Sequence, residues 1–320
     1  MKTLDIKDKI YGNFQIDSPI IIELINSKPL QRLKRISQFG VPDEFYHLKN
    51  ISRYEHSIGV FLLLKSLGAS EEEQIAGLLH DVSHTAFSHV IDWVLGEGTD
   101  EEFQDAKHHD FINESEIKKI LQKYKYDPAK IANHKNFSLL EFDIPNLCAD
   151  RIDYAIREFP QNIARQCFGR MMNFQRRIVF ADQKSAYLFA DNFLKRQTEH
   201  WGGFEAASRY RLFADALKIA LDDKTTNFDD FWKDDEYILK KIKKSKNQKI
   251  QAILSSLRNK SLKKFQPSHK VVHKKFRYVD PEFLFNGKLY RLSKADKEFN
   301  KKLKQAEKLN KKGVLIPEIN

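Results

Sequence analysis

The chain has 320 residues, 55 Lys and Arg against 44 Asp and Glu, a formal charge of +11 and 41% hydrophobic residues. That is enough apolar material for a sizeable core, no apolar run approaches the roughly 18 residues of a membrane span, and residues 1–8 carry no apolar leader segment. Two cysteines, Cys148 and Cys167, are too few for a disulfide framework, so a cytoplasmic protein without a membrane segment is expected.

In chain order, residues 20–24 open an apolar stretch, and Pro29 looks like a first-turn proline. Residues 57–67 have apolar side chains at 58, 61, 62, 64 and 67, a helical period. Ser70 followed by Glu71, Glu72 and Glu73 reads as an N-cap with an acidic first turn, opening a helix over 72–81. Further helices are predicted over 86–95, ended by Gly96-Glu97-Gly98, then over 110–124, from Asp127-Pro128, and over 139–159. Residues 176–182 are the best strand before the C-terminal third, and 187–198 and 204–221 read as helices. Residues 276–292 alternate aromatic and polar around Asn286-Gly287, the strongest hairpin signal in the chain. A charged helix over 294–312 follows. The expected fold is mainly α: a helical core over 1–225 and a basic α+β region over 226–320.

The basic clusters concentrate late, at Lys240-Lys241, Lys243-Lys244, Lys263-Lys264, Lys274-Lys275, Lys301-Lys302 and Lys311-Lys312. They fit a nucleic-acid surface or a solvated helical face, and a basic chain also suits a small polyanionic substrate. Few aromatic residues are interleaved for base stacking.

The most informative feature is the pair His80-Asp81. Adjacent side chains on a helix point about 100° apart, so the pair holds one metal only with ligands from elsewhere. His56 and Asp150 are candidates, and two imidazoles with two carboxylates suit a divalent ion with positions left for water and phosphate. A second layer follows: His84 four residues after His80, then His89, Asp92 and either His108 or His109.

Four ordered runs, residues 29–40, 53–60, 80–89 and 150–154, resemble the HD-domain phosphohydrolase superfamily, whose signature is H…HD…D. They are most similar to the branch containing the deoxynucleoside triphosphate triphosphohydrolases, and the resemblance covers roughly residues 8–220. It implies that His56, His80, Asp81 and Asp150 are metal ligands. His84 and His109 match catalytic histidines, and Asp92 the carboxylate that orients one of them. Arg53, Arg151 and Tyr154 match substrate-phosphate contacts, and Gln38 a sugar-hydroxyl contact. Glu158 stands where the branch has an Asp against the sugar 3′-hydroxyl, and Phe39 replaces the Leu under C2′. Phe39 can reject a 2′-hydroxyl or serve as plain core packing. Glu199-His200-Trp201 and Ser208-Arg209-Tyr210-Arg211 are weaker candidates for lining the base or phosphate pocket.

The expected activity is hydrolysis of a deoxynucleoside triphosphate to deoxynucleoside and triphosphate. The ion would be Mn, Fe, Mg, Zn, Co or Ni, and His84, with an ordinary pKa near 6.5, would protonate the leaving oxygen. The alternatives are another nucleotide phosphatase, a phosphodiesterase or nuclease acting through the basic C-terminal region, and a nucleotide- or nucleic-acid-binding module with a structural metal. A homo-oligomer is expected, a dimer by default.

Overall fold

A computed structural model describes residues 3–96 and 102–317. The chain is mainly helical, as its periodicity indicates, with short strands at the N-terminus, in the middle and toward the C-terminus. Helices Arg53–Ser66, Glu71–Leu79 and Ala149–Ile156 pack together and carry or flank the His and Asp motifs. Among the described residues, no helix is long and apolar enough to cross a membrane.

The sheets are small. An antiparallel hairpin, Leu4–Asp8 with Gly12–Ile16, opens the chain; the sequence reading assigned no strand there. A four-stranded sheet runs Met171–Phe174, Arg177–Phe180, Glu282–Phe285, Lys288–Arg291. Its two hairpins meet by a parallel pairing of Phe180 with Phe283. The Asn286-Gly287 turn has φ of 48° and 74°, the left-handed pair that a tight hairpin requires.

Two hydrophobic clusters form the interior, and both draw on residues from either side of position 225. Val279, Phe283, Leu292 and Phe299 join Leu62, Leu79, Ile152 and Phe189 in the first. Ile238, Leu254, Val272 and Ile316 join Phe45, Phe87 and Phe213 in the second. The division expected at 225 therefore separates neither the cores nor the sheet. Arg209, fully buried, ties the two stretches by donating to the Phe45, Leu257 and Asn259 carbonyls at 2.6–2.7 Å.

Several predicted boundaries move. The second motif helix ends at Leu79, so residues 80–85 form a turn and irregular chain, and His84 is not on a continued helix. The next helix begins only at Val90, because Phe87 and Ser88 take positive φ (64° and 49°). Gly96 caps it at φ 92°, while Glu97 and Gly98 lie outside the described residues. The helix expected over 110–124 is two, Phe103–Glu114 and Glu116–Lys123, with Ser115 capping the second. That expected over 139–159 is only Ala149–Ile156, preceded by a loop containing Pro145.

Candidate active site and metal centre

Ser52 starts the first motif helix. Its hydroxyl accepts the Glu55 N–H at 3.1 Å and Glu55 Oε2 accepts the Ser52 N–H at 2.9 Å, a reciprocal cap. Arg53 and His56 then lie three residues apart on one face. Three residues further is Gly59, and it sets how closely the Asp150 helix approaches. A Cβ there would lie 2.0 Å from Asp153 Oδ1 and from Arg157 Nη2. Gly77 has the same role toward the His80 segment, where a Cβ would meet Leu64 Cδ1 at 2.2 Å.

Four side chains converge there. His56 Nε2 stands 3.1 Å from His80 Nε2 and 3.0 Å from Asp150 Oδ1. His80 Nε2 is 3.5 Å from Asp150 Oδ1 and 3.4 Å from Asp81 Oδ1, and His56 Nε2 is 3.7 Å from Asp81 Oδ2. The outer nitrogens are fixed. His56 Nδ1 donates to Asp153 Oδ2 at 2.8 Å, and His80 Nδ1 donates to the Gly77 carbonyl at 2.8 Å. Each Nε2 lone pair therefore faces inward in the neutral ring. Two such lone pairs at 3.1 Å repel unless a proton or a metal ion lies between them. Donors bonded at about 2.0–2.2 Å to one ion stand about 3–3.5 Å from their neighbours, which is the spacing seen. His56, His80 and Asp81 could hold a divalent ion, with Asp150 Oδ1 against both imidazoles.

The electrostatics agree. Burial alone lowers the His56 pKa, but the Asp150 and Asp153 hydrogen bonds and the Asp81 charge carry it up to about 9. Burial would raise Asp81, yet Arg53, His80 and His84 hold it well below the carboxylate range. The Arg53 guanidinium meets Asp81 Oδ2 at 2.8 Å and Ser88 Oγ at 2.9 Å.

Beside this centre lie further histidines. His84 Nε2 is 3.3 Å from Asp81 Oδ1, and the turn that carries it is pinned by Arg32, which donates to the Val82 and His84 carbonyls. Burial and the Arg53 charge push the His84 pKa well below 6.5, with Asp81 offsetting only part. The His84 ring lies 4.9 Å from that of His89, and His89 Nδ1 is 3.5 Å from Asp92 Oδ2. Asp92 Oδ1 accepts the Phe103 N–H.

His109 departs from expectation. Its side chain is 61% exposed, against Asn113 and Asp110, and it does not face the cavity. The carboxylate of Asp92 addresses His89, which does line the cavity. His108 is buried between Ser83 Oγ at 2.9 Å and His134 Nε2 at 3.0 Å. The His134 pKa falls to about 4 through burial and the His80 charge.

A cavity of about 340 Å³ joins the centre to the remaining candidates. Gln38, Phe39, Arg53, Arg151, Tyr154 and Glu158 all line it. The Arg151 guanidinium is engaged by the Phe142 and Asn146 carbonyls and by Glu141. Both oxygens of Glu158 are engaged, by His200 Nδ1 at 2.6 Å and Trp201 Nε1 at 2.7 Å. His200 and Trp201 reach it from a wide helical turn, Gln197–Trp201. Residues not expected at the site from the sequence also enter: Tyr46, His134 and the segment Lys274, Lys275, Phe276, Arg277 and Tyr278. That segment brings part of the late basic charge to the cavity. Other late lysines pair locally, Lys241 with Asp230, Lys243 with Glu44 and Lys302 with Asp191.

A helical scaffold with a buried His/Asp centre beside a cavity lined by five cationic and five acidic side chains fits a metal-dependent hydrolase of phosphorylated compounds. The HD domain model matches residues 53–157, which contain all four expected ligands. The chain is 36% identical over 330 aligned positions to the uncharacterized protein YdhJ of Bacillus subtilis, covering 98% of each. It is 40% identical over 156 positions to the metal-dependent phosphohydrolase cns2 of Cordyceps militaris, covering 48% of this chain and 44% of that one. It is 29% identical over 146 positions to the human deoxynucleoside triphosphate triphosphohydrolase SAMHD1, covering 37% of this chain and 22% of that one. The chain belongs to the HD-domain phosphohydrolase superfamily.

Proposed function

We propose that the protein hydrolyses deoxynucleoside triphosphates at the α-phosphate, releasing deoxynucleoside and triphosphate. The observation that carries this reading is the make-up of the cavity. Metal ligands form one wall, Arg53, Arg151, Lys275 and Arg277 supply cationic charge, and Phe39, Tyr46, Tyr154 and Trp201 supply an aromatic wall. A triphosphate needs the first two and a nucleoside the third. The partial likeness to SAMHD1 supports the same reading.

A divalent ion held by His56, His80, Asp81 and Asp150 would polarise a phosphoryl oxygen and lower the pKa of bound water. The protein's own groups do the rest. Arg53 is held toward the centre by Asp81 and Ser88, and faces the equatorial charge that develops in phosphoryl transfer. His84, 3.3 Å from Asp81 Oδ1, would accept the proton released by the attacking water and pass it to the leaving oxygen. Asp92 Oδ2 lies 3.5 Å from His89 Nδ1, and the His89 ring meets that of His84.

The test is product analysis over dNTPs, NTPs, nucleoside monophosphates and short oligonucleotides, with Mn or Mg. Triphosphate release from dNTPs is expected. Cleavage of oligonucleotides alone, with binding that falls steeply with salt, would replace this reading by a nuclease. Full turnover in a His80→Ala/Asp81→Ala variant would remove the metal centre from the reaction.

A further inference from the structure

Residues 273–281 belong to no helix or strand, yet Lys275, Phe276, Arg277 and Tyr278 line the cavity. A segment outside any backbone ladder needs other partners to hold its place. Two side-chain amides meet it. Asn310, in the last turn of helix Lys297–Lys311, donates from Nδ2 to the Lys274 carbonyl at 3.0 Å. Gln197 Oε1 accepts the Arg277 N–H at 3.1 Å. The two amides also join each other, Gln197 Nε2 donating to Asn310 Oδ1 at 2.9 Å.

The order of atoms is forced. A carbonyl only accepts, so Asn310 turns Nδ2 to Lys274 and Oδ1 to Gln197. Gln197 must then turn Nε2 to Asn310, which leaves Oε1 for the Arg277 N–H. Each amide uses one donor and one acceptor, and an apolar side chain of the same shape supplies neither. The pair is also enclosed. Gln197 is 1% exposed, and a Cβ on Gly202 would lie 2.6 Å from Gln197 Nε2 and 3.0 Å from Asn310 Oδ1. Gln197 opens the wide turn that carries His200 and Trp201 to the cavity, so one residue ties that wall to the segment. The Lys274 ammonium adds a further hold, 3.5 Å from the centre of the Tyr210 ring. Positions 274 and 277 are therefore anchored, and the cations of Lys275 and Arg277 are placed by those anchors.

We propose that Gln197 and Asn310 form a two-amide clamp and are positioning residues for the substrate's phosphate chain. Neither lines the cavity; they act through the segment 274–277, holding Lys275 and Arg277 toward it. Both lie outside residues 53–157, so this determinant of substrate binding belongs to the part of the chain beyond the HD match. It rests on the nucleotide reading above.

The experiment uses the metal-loaded protein as wild type, Gln197→Met, Asn310→Leu, the double variant of these two, and Gly202→Ala, none of which changes the net charge. It measures kcat and KM for a dNTP, inhibition by the corresponding monophosphate, equilibrium binding of inorganic triphosphate, and denaturant unfolding. Each single change at the clamp should raise KM for the dNTP and Kd for triphosphate about 5- to 10-fold, the size of one neutral hydrogen bond. Turnover at saturation should stay close to wild type, and monophosphate inhibition should weaken much less. The double variant should be little worse than either single one, because two residues of one clamp are not additive. Gly202→Ala, at an ordinary φ of −100°, should act alike by wedging the amides apart. Lowered stability with unchanged KM and triphosphate binding would reduce the pair to packing and overturn the proposal, and so would equal weakening of triphosphate and monophosphate. If triphosphate binding depends on the clamp but dNTPs are not hydrolysed, the clamp stands and the triphosphohydrolase reading falls. If dNTPs are hydrolysed with a KM that the variants do not move, the clamp alone falls. If neither dNTP nor inorganic triphosphate binds, both fall.

Discussion

Gly59→Ala tests how the metal centre is supported. In an exposed helix interior this change stabilises by about 0.5–1 kcal/mol, because glycine loses more backbone freedom on folding. Here the new Cβ would fall 2.0 Å from Asp153 Oδ1 and Arg157 Nη2 and 2.7 Å from Asp153 Cγ. Ordinary contact begins near 3.4 Å, so these groups must retreat by about 1.4 Å. Asp153 cannot retreat that far and keep its bonds to His56 Nδ1 at 2.8 Å, Arg157 Nε at 2.7 Å and the Tyr11 hydroxyl at 2.8 Å. These bonds are largely buried, and hydrogen bonds to charged groups contribute about 1.5–3 kcal/mol each. Losing one or two, less the helix gain, leaves a net destabilisation of about 2–4 kcal/mol. Asp153 also fixes the His56 ring, and loss of such support typically lowers metal affinity by about 10–100-fold. Denaturant unfolding of the metal-free protein reads the first effect, and chelator competition the second. A Gly59→Ala protein as stable as wild type and equal in metal affinity would refute the reasoning.

Three further outcomes are expected. With no metal, the raised His56 pKa makes its charged pairing with Asp150 and Asp153 fully present below about pH 6.5 and lost as pH rises through about 9, up to about 3 kcal/mol in all. Metal must displace that proton, so affinity should climb with pH up to about 9; a flat chelator-competition profile between about pH 6 and 9 would contradict this. His89→Ala should lower kcat about tenfold or more, whereas His109→Ala should leave kcat unchanged and stability within about 0.5 kcal/mol of wild type, the usual surface range; the reverse pattern would restore the role expected of His109. Lys275→Gln with Arg277→Gln should raise KM for a triphosphate about tenfold and for a monophosphate much less, and equal effects on both would remove this segment from phosphate binding.

The difference between His108 and His109 shows what was legible and what was not. The spacing of histidines and carboxylates identified a metal-centred second layer, but adjacent residues differ by about 100° on a helix, so the helix phase decides which one points inward. The helix runs Phe103–Glu114 and buries Gln104, His108 and Ile112, a strict four-residue step. The residues leave His108 and His109 open, the resemblance selects His109, and a helix expected over 110–124 supplies no phase to check that choice. Asp153 was a clearer omission. It lies three residues from Asp150 on the same helix, and a buried ligand histidine needs an acceptor for its second nitrogen. Glu158 was legible as a cavity residue but not as a committed one, because His200 and Trp201 arrive from some 40 residues later through a wide turn no periodicity announces.

The late basic residues pose the same problem at longer range. A run such as Lys274-Lys275 reads as surface charge because sequence gives no measure of what packs against it. In the fold, strands Glu282–Phe285 and Lys288–Arg291 extend the sheet begun by Met171–Phe174 and Arg177–Phe180. The chain leading into them lines the cavity of the helical core on its way. Lys274 settles 3.5 Å over the Tyr210 ring and 5.4 Å from Trp93, and the Arg277 N–H meets Gln197 Oε1 at 3.1 Å. Asp235, also beyond the expected boundary, accepts the Ser37 and Phe87 N–H groups and so holds two site loops at once. The HD motifs place the metal, but the shape and charge of the cavity above it depend on the last third of the chain. A truncation at residue 225 should accordingly expose both hydrophobic clusters and fail to fold cooperatively in calorimetry. A soluble fragment that unfolds in one sharp transition and retains full nucleotide turnover would show instead that the core is self-sufficient.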